Sequence, residues 1–343
     1  MGTTGADVTG LGRYLAALED VATAADEPRL ARLVQHLRRP LCVGVRGRTG
    51  AGCATVSRAL RRRGATVLAG ADAVDVEVHV LAETVKPEDA AALHRAGPAR
   101  VVVLNKADLC GFGGAGPLAR AAAHCRALQA QCGVEVLPLA ALLAAADVDD
   151  DMVGALGVLA HEPADLGSTD RFTAGVHPLS LAVRERLLAE LDLFGIAHAV
   201  LAVRRGADRA AVNATLHRLS GVAAVLDAIA SAGVPVRYRR IVDAAPMLAE
   251  LSAGPGGARV ADRLAGDEVV IARMAAAVEV AAAAGMAVAG EDTRPAAHLD
   301  RAVRWQRFAG GPLSAVHRAC AADIVRGSLR LWAHAGGVAE TVP

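Results

Sequence analysis

The spacing of apolar residues changes twice along this chain. In residues 8–37, leucines and valines recur at the i, i+3, i+4 and i+7 positions of amphipathic helices, and Pro28 marks the start of a second helix. Between 41 and 143, short apolar runs alternate with helix-like stretches. This alternation is typical of a doubly wound, mostly parallel β-sheet. The predicted strands are 41–47, 74–83, 99–109 and 134–142.

Helical periodicity dominates the second half of the chain. A polar stretch with glycines and prolines, 161–178, predicts a linker, and segments such as 179–195 and 312–336 beyond it predict helices. We therefore expect a protein of the α/β class, with a doubly wound, mostly parallel half followed by an all-helical half. The expected divisions are N-terminal helices over 1–40, an α/β domain over 41–160, a linker over 161–178 and a helical domain over 179–343.

Composition and charge indicate where in the cell the protein is located and which classes of partner it binds. The formal net charge is +1, so no overall positive field favours nucleic acid. The six cysteines form no CxxC pair and the first residues lack a signal peptide, which favours reduced thiols in a cytoplasmic protein. The most apolar stretch, 269–290, carries Arg273 and Glu279 and predicts a buried helix. The basic, strand-like segment 234–243 raises the alternative of a peripheral contact with the inner face of the membrane.

A glycine-rich segment, GRTGAGCA at 47–54, follows the first predicted strand and precedes a predicted helix. A phosphate-binding loop has this arrangement, because its backbone N–H groups surround a phosphate at a helix N-terminus. The glycines at 47 and 52 have the spacing of the motif. Taken alone, the segment also fits an ordinary glycine-rich turn. The candidate phosphate-binding residues are Gly47, Arg48, Gly50, Gly52, Cys53 and Ala54.

Two side chains that a working phosphate-binding loop needs are replaced. Cys53 stands where a lysine neutralises the β- and γ-phosphates, and Ala54 stands where a serine or threonine holds Mg²⁺. Phosphoryl transfer depends on positioning and charge neutralisation, so we expect hydrolysis to be impaired and Mg²⁺ to have no ligand here. Arg48 or Arg46 is the candidate replacement for the missing positive charge.

A second motif, Asn105-Lys106-Ala107-Asp108, closes the apolar run at 99–105. It has the NKxD pattern of GTP-binding proteins, in which the carboxylate accepts two hydrogen bonds from guanine, the lysine stem covers the base and the asparagine is tied to the phosphate loop. On the next predicted strand, the backbone N–H of Ala141 is placed to reach the guanine carbonyl. The candidate guanine-binding residues are Asn105, Lys106, Asp108 and Ala141.

With these motifs in this order, residues 41–143 resemble the G domain of dynamin-like and Era-like GTPases, which are P-loop proteins of the TRAFAC type. The resemblance is greatest to the bacterial dynamin-like proteins of actinobacteria. It implies GTP or GDP as the ligand and N-terminal helices that pack against the C-terminal ones as a neck. It also implies a dimer, either with an intact paralogous GTPase or with a second copy, because G domains of this class pair across their nucleotide faces.

The switch segments of a GTPase are not recognisable in the sequence. No DxxG occurs between the glycine loop and the second predicted strand, where Asp72 and Asp75 are the only acids, and Thr55 and Thr66 are switch threonines by residue type only. We therefore expect a degenerate, guanine-nucleotide-binding protein that is not an active enzyme and acts as a regulatory or structural partner. The alternatives are a GTPase of low rate and a scaffold that binds no nucleotide.

Overall fold

A computed structural model describes residues 9–69, 74–111, 116–254, 257–288 and 292–337. The chain divides into two compact units. Leu41–Ala230 form the α/β unit, while Met1–Pro40 and Ser231–Pro343 form the helical unit. The helices are α1 (Gly10–Ala25), α2 (Pro28–Leu37), α3 (Cys53–Arg62), α4 (Pro87–His94), α5 (Gly116–Cys132), α6 (Ala141–Ala145), α7 (Asp150–His161), α8 (Thr169–Ala174), α9 (Leu181–Arg204), α10 (Arg209–Ser220), α11 (Val222–Asp243), α12 (Ala245–Ala253), α13 (Ala258–Leu264), α14 (Asp267–Ala283), α15 (Pro295–Ala309) and α16 (Ala315–His334).

The α/β unit is built on a five-stranded sheet in which every neighbouring pair of strands is parallel. The strands are β1 (Cys42–Gly47), β2 (Thr66–Leu68), β3 (Val76–Leu81), β4 (Ala99–Asn105) and β5 (Val136–Leu139), in the order β2-β1-β3-β4-β5. Because crossovers between parallel strands are almost always right-handed, this strand order predicts α3 on one face and α4 and α5 on the other. The predicted α/β class with a parallel sheet is confirmed. The short strand β2 was not predicted.

The α/β unit extends beyond the expected boundary at residue 160. The helices α9 and α10 bury apolar side chains against α6 and α7, in a core that includes Leu143, Leu156, Leu187 and Leu216. The apolar stripe of α9 therefore finds its partner within the α/β unit, and the first helices after residue 178 belong to that unit.

The segment 161–178, which was expected to be a linker, is packed in part. It contains α8, whose Phe172 is fully buried in the core of the α/β unit. The guanidinium of Arg184 in α9 donates hydrogen bonds to the carbonyl oxygens of Phe172 and Gly175, at 2.7 and 2.9 Å. These contacts fix α8 against the start of α9, so this part of the segment is not a free linker.

The helical unit is formed by two separate parts of the chain, Met1–Pro40 and Ser231–Pro343. Apolar side chains of α1 and α2 share one core with those of α11, α12, α14 and α16, as the resemblance implied for N-terminal and C-terminal helices. The segment 234–243, which had a strand-like pattern, lies within α11. Its buried residues Tyr238 and Ile241 have the i, i+3 spacing of a helix, which explains why the strand interpretation was wrong.

No single helix among the described residues has both the length and the apolar character to cross a membrane. One bent pair, formed by 209–220 and 222–253, meets those two criteria together, and length and composition are its only support.

The approach of α1 to α14 yields a test of the packing. A Cβ atom at Gly10 would lie 2.4 Å from the backbone carbonyl carbon of Ala275. We expect Gly10→Ala to lower the free energy of unfolding by about 1–3 kcal/mol, because backbone atoms cannot move aside as a flexible side chain can. Chemical denaturation followed by circular dichroism measures the change.

The control for Gly10→Ala is Gly154→Ala in α7, where a Cβ atom would meet nothing within 4 Å. We expect this variant to be about 0.5–1 kcal/mol more stable than the parent, since alanine favours the helix interior. Equal stabilities of the two variants would contradict the close contact between α1 and α14.

Candidate functional site

The glycine loop, residues 47–54, joins β1 to α3 at the carboxyl edge of the sheet. A Cβ atom on Gly47 would lie 2.5 Å from the carbonyl oxygen of Val80 in the neighbouring strand β3. Gly52, the N-cap residue of α3, has φ of 90° and ψ of 27°, a left-handed conformation that favours glycine. The Ala51 N–H donates to the Arg48 carbonyl at 3.1 Å and closes the turn. The loop therefore depends on glycine at both of the predicted positions.

The side chain of Asn105, at the end of β4, connects this loop to the next element. Its Nδ2 donates to the carbonyl of Ala51 at 2.9 Å, and its Oδ1 accepts from the N–H of Ala141 at 3.2 Å. The side chain leaves no room for a Cβ atom on Gly52, which would lie 2.3 Å from Nδ2. With Asn105 only 5% exposed, both hydrogen bonds are shielded from water. The NKxD motif had predicted this contact between Asn105 and the glycine loop.

The N–H of Ala141 is not free to reach a guanine carbonyl in the way the sequence suggested. It lies at the start of α6 and is already bonded to Asn105. The preceding residue, Ala140, donates its own N–H to the Ser220 carbonyl at 2.9 Å. A ligand that needs the Ala141 N–H must therefore compete with a buried amide.

Both candidate replacements for the missing lysine are held by carboxylates. The Nε of Arg48 lies 2.8 Å from Oδ2 of Asp89, and its second nitrogen, Nη2, reaches the Ala82 carbonyl at 3.4 Å. The Nε of Arg46 lies 3.2 Å from Oε2 of Glu77. Each guanidinium thus pairs with an acid on β3 or α4, so a phosphate at the loop would have to share either arginine with a carboxylate.

Asp89, at the start of α4, is the centre of a buried polar cluster. Only 1% of its side chain is exposed, and one oxygen lies 3.2 Å from Nε2 of His79. Burial alone would raise the pKa of Asp89. Hydrogen bonds from the Lys86 N–H, His79 and Arg48 outweigh burial and hold the pKa of this carboxyl below its usual range. Asp89 is therefore an ionised, well-satisfied partner for Arg48.

The two substituted positions of the loop carry no charge. Cys53 opens α3 with its thiol half buried, and burial raises the pKa of this thiol, so it stays protonated at neutral pH. Ala54 is exposed and follows it in the first turn. Among the described residues, no group of three or more His, Cys, Asp or Glu side chains is arranged to hold a metal ion.

The remaining residues of the NKxD motif have different surroundings. Lys106 is exposed and has a left-handed backbone, with φ of 60°. Asp108 is buried, with 9% exposure. Burial raises the pKa of the Asp108 carboxyl, nearby Asp192 adds to the rise, and Lys106 opposes it. Asp192 interrupts α9 with φ of 54° and ψ of 174°. The carboxyls of Asp108 and Asp192 and the ammonium of Lys106 therefore lie close enough to influence one another.

Asn105 and Lys106 also line a cavity of about 520 Å³ beyond the ends of β3 and β4. Arg120 and His124 of α5 lie on its other side, and the His124 ring contacts the carbonyl of Glu83. Sequence reasoning missed these two side chains. Their i, i+4 spacing, which puts both on one face of a helix, was the available signal.

The acids and threonines considered for the switches lie elsewhere. Asp75 accepts a hydrogen bond from the Cys42 N–H at 2.8 Å, and Thr66 pairs in register with Cys42, so both lie at the amino edge of the sheet. Asp72 lies outside the described residues. Thr55 is in the first turn of α3. The amino edge is opposite the glycine loop, which excludes Asp75 and Thr66 as switch residues.

Comparisons with known proteins give no relative for this chain. No family model matches the sequence, no curated protein matches it, and no solved structure matches its fold.

The Asn105 contact yields a second test. Asn105→Ala leaves the Ala51 carbonyl and the Ala141 N–H buried without their partner. We expect a loss of at least about 2 kcal/mol in the free energy of unfolding, because each of the two unsatisfied buried groups costs about 1–3 kcal/mol. Urea denaturation measures the loss.

Lys106→Ala, at the adjacent exposed position, is the control and should change stability by less than about 0.5 kcal/mol. If Asn105→Ala were as mild as Lys106→Ala, the two hydrogen bonds would not be holding the loop.

Proposed function

We propose that this chain binds a guanine nucleotide, GTP or GDP, at the carboxyl edge of its parallel sheet. The observation that carries the proposal is the Asn105 side chain, which bonds both the glycine loop and the start of α6. The loop follows β1, which lies between β2 and β3 in the sheet. The chain therefore adds β2 on one side of β1 and the later strands on the other side. In open parallel sheets, ligands bind outside the carboxyl ends of the strands at such a point.

We propose further that bound nucleotide is not hydrolysed, which makes the chain a degenerate relative of the dynamin-like GTPases. Cys53 supplies no cation and Ala54 no Mg²⁺ ligand. Arg48 is paired with Asp89, which is 1% exposed. Breaking a buried ion pair costs about 3–5 kcal/mol, and this cost opposes the alternative of a low-rate GTPase that uses Arg48.

A nucleotide-free scaffold is the second candidate, and one observation favours it. The Ala141 N–H, which a guanine carbonyl would use, is bonded to Asn105 at 3.2 Å. In this alternative the loop and the motif serve only to hold β1, β4 and α6 together.

The proposed role is that of a regulatory or structural partner of an active GTPase. A protein that binds GTP without hydrolysing it cannot convert itself from the GTP-bound to the GDP-bound form. A partner that hydrolyses GTP must therefore provide this change. We propose a cytoplasmic chain that forms a dimer with an intact paralogous GTPase or with itself. A peripheral contact with a membrane would use the basic segment 234–243, in which Arg239 is exposed.

Base selectivity is the third prediction. Titration calorimetry should show GTP and GDP binding at least about tenfold more tightly than ATP, because a hydrogen bond to a charged group contributes about 1.5–3 kcal/mol. No phosphate should be released from GTP over the same period. Asp108→Asn should remove the preference for guanine over xanthine nucleotides. Equal affinities for GTP and ATP would exclude guanine recognition, and absence of binding would leave the scaffold.

The phosphate end is tested separately with Cys53→Lys combined with Ala54→Ser. This variant should bind GTP more tightly and gain a dependence on Mg²⁺ that the parent lacks. A matched control is Thr55→Ser, which restores neither the lysine nor the Mg²⁺ ligand. If the double variant binds no better than the control, the loop does not fit a phosphate.

Association is the fifth prediction. Light scattering should give the mass of a dimer for the purified chain, or for its mixture with the intact paralogous GTPase. The GTPase rate of the paralogue should change when this chain is added. Monomeric masses in both samples, with an unchanged rate, would reject the partner role while leaving nucleotide binding untouched.

A further inference from the structure

A cavity of about 210 Å³ lies inside the helical unit, between α1, α12, α13, α14 and α16. Most of its wall is apolar and is formed by Leu248, Leu264, Val269 and Val270. The remaining wall carries charge. All of the lining residues belong to the helical unit, and none belongs to the proposed nucleotide site.

The charged wall is centred on Asp323 of α16, whose side chain is 5% exposed. Its Oδ2 accepts hydrogen bonds from the Tyr238 hydroxyl at 2.5 Å and from Nε of Arg273 at 2.7 Å. Its Oδ1 has Arg326 at 3.9 Å. Tyr14 also lines the cavity, and burial raises the pKa values of Tyr14 and Tyr238, so both phenols remain neutral.

The charges of this wall do not balance. Two guanidiniums, Arg273 and Arg326, face one carboxylate, Asp323, so the wall has one positive charge in excess. The surrounding core is made mostly of apolar side chains, which do not need a buried ion pair for packing. Buried ion pairs contribute little to stability, and clusters of ionisable groups beside a mostly apolar cavity are typical of ligand sites.

The size and the chemistry of the cavity restrict the ligand. An apolar cavity of about 150 Å³ can hold benzene, so one of about 210 Å³ has room for about eight non-hydrogen atoms. A nucleotide is too large for this space. Inorganic phosphate would leave the apolar wall without a partner. A neutral hydrocarbon would make no use of the guanidinium of Arg326, which lines the cavity.

We propose that the helical unit binds a small monocarboxylate, a short fatty acid of about six carbons. Its alkyl chain packs against Leu248, Leu264 and Val270, and its carboxylate pairs with Arg326 and Arg273. The side chain of Arg326 is 61% exposed, which places the carboxylate end towards the opening.

Titration calorimetry on the full chain with sodium butanoate, hexanoate, octanoate and decanoate tests the proposal. We expect saturable binding at one site, tightest for hexanoate and weaker for octanoate and decanoate, which exceed the cavity. 1-Hexanol, which has the same tail without the charge, should bind at least about tenfold more weakly.

Arg326→Gln should weaken hexanoate binding by at least about tenfold, because it removes the unbalanced charge and spares the Asp323 hydrogen bonds. Arg318→Gln is the matched control. It removes the same charge from an exposed position of α16 outside the cavity, and affinity should stay within about twofold. Val270→Phe, which fills the cavity, should abolish binding.

Three results would overturn the proposal. One is the absence of saturable heat with any of the four carboxylates. Another is 1-hexanol binding as tightly as hexanoate. The third is Arg326→Gln retaining the affinity of Arg318→Gln, which would mean that the positive charge at the opening does not select the ligand.

Discussion

The amide of Asn105 is the contact on which the carboxyl edge of the sheet depends. It donates to the glycine loop and accepts from α6, two segments separated from it by 54 and 36 residues. A carboxamide can donate and accept at once, which a carboxylate, an ammonium or an apolar group cannot do. The single side chain therefore makes the positions of the loop, of β4 and of α6 mutually dependent.

The consequences extend into the helical layer of the α/β unit. Leu143 of α6 is buried among residues of α9 and α10, and Gly195 of α9 comes so close to Leu143 that a Cβ atom there would lie 2.5 Å from the leucine side chain. A shift of the glycine loop would be transmitted through Asn105 to α6 and then meet this close packing. The Ala51 end of the loop is therefore held against the core, where Ala51 is 2% exposed.

Nucleotide binding and hydrolysis can be separated at this site on electrostatic grounds. The low pKa of Asp89 keeps it ionised across the neutral range, so it holds Arg48 at every pH at which a nucleotide phosphate is also fully charged. A phosphate would have to attract Arg48 away from a buried partner that also has hydrogen bonds from His79 and Lys86. Backbone N–H groups and contacts to a base need no such exchange.

The sequence predicted the parts of this structure that local patterns encode. Apolar runs predicted β1 and β4, and the valine-rich alternation of 74–83 predicted β3. The position of Asn105 at a strand end predicted its contact with the loop. The partners of Arg48 and of the Ala141 N–H are 41 and 36 residues away and follow no periodicity, so no pattern revealed them. Burial of Phe172 was missed because its neighbours are polar.

The two faces of β3 explain how the α/β unit accommodates so much buried charge. Val76, Val78 and Val80 are fully buried on one face, whereas Glu77 and His79 occupy the other, where strands of parallel sheets are normally apolar. The charged face adds little to stability, since buried ion pairs roughly offset their own desolvation. Its effect is geometric, because it orients Asp89 through His79 and so determines where Arg48 can point. The valine face, by contrast, contributes to stability through the burial of three apolar side chains.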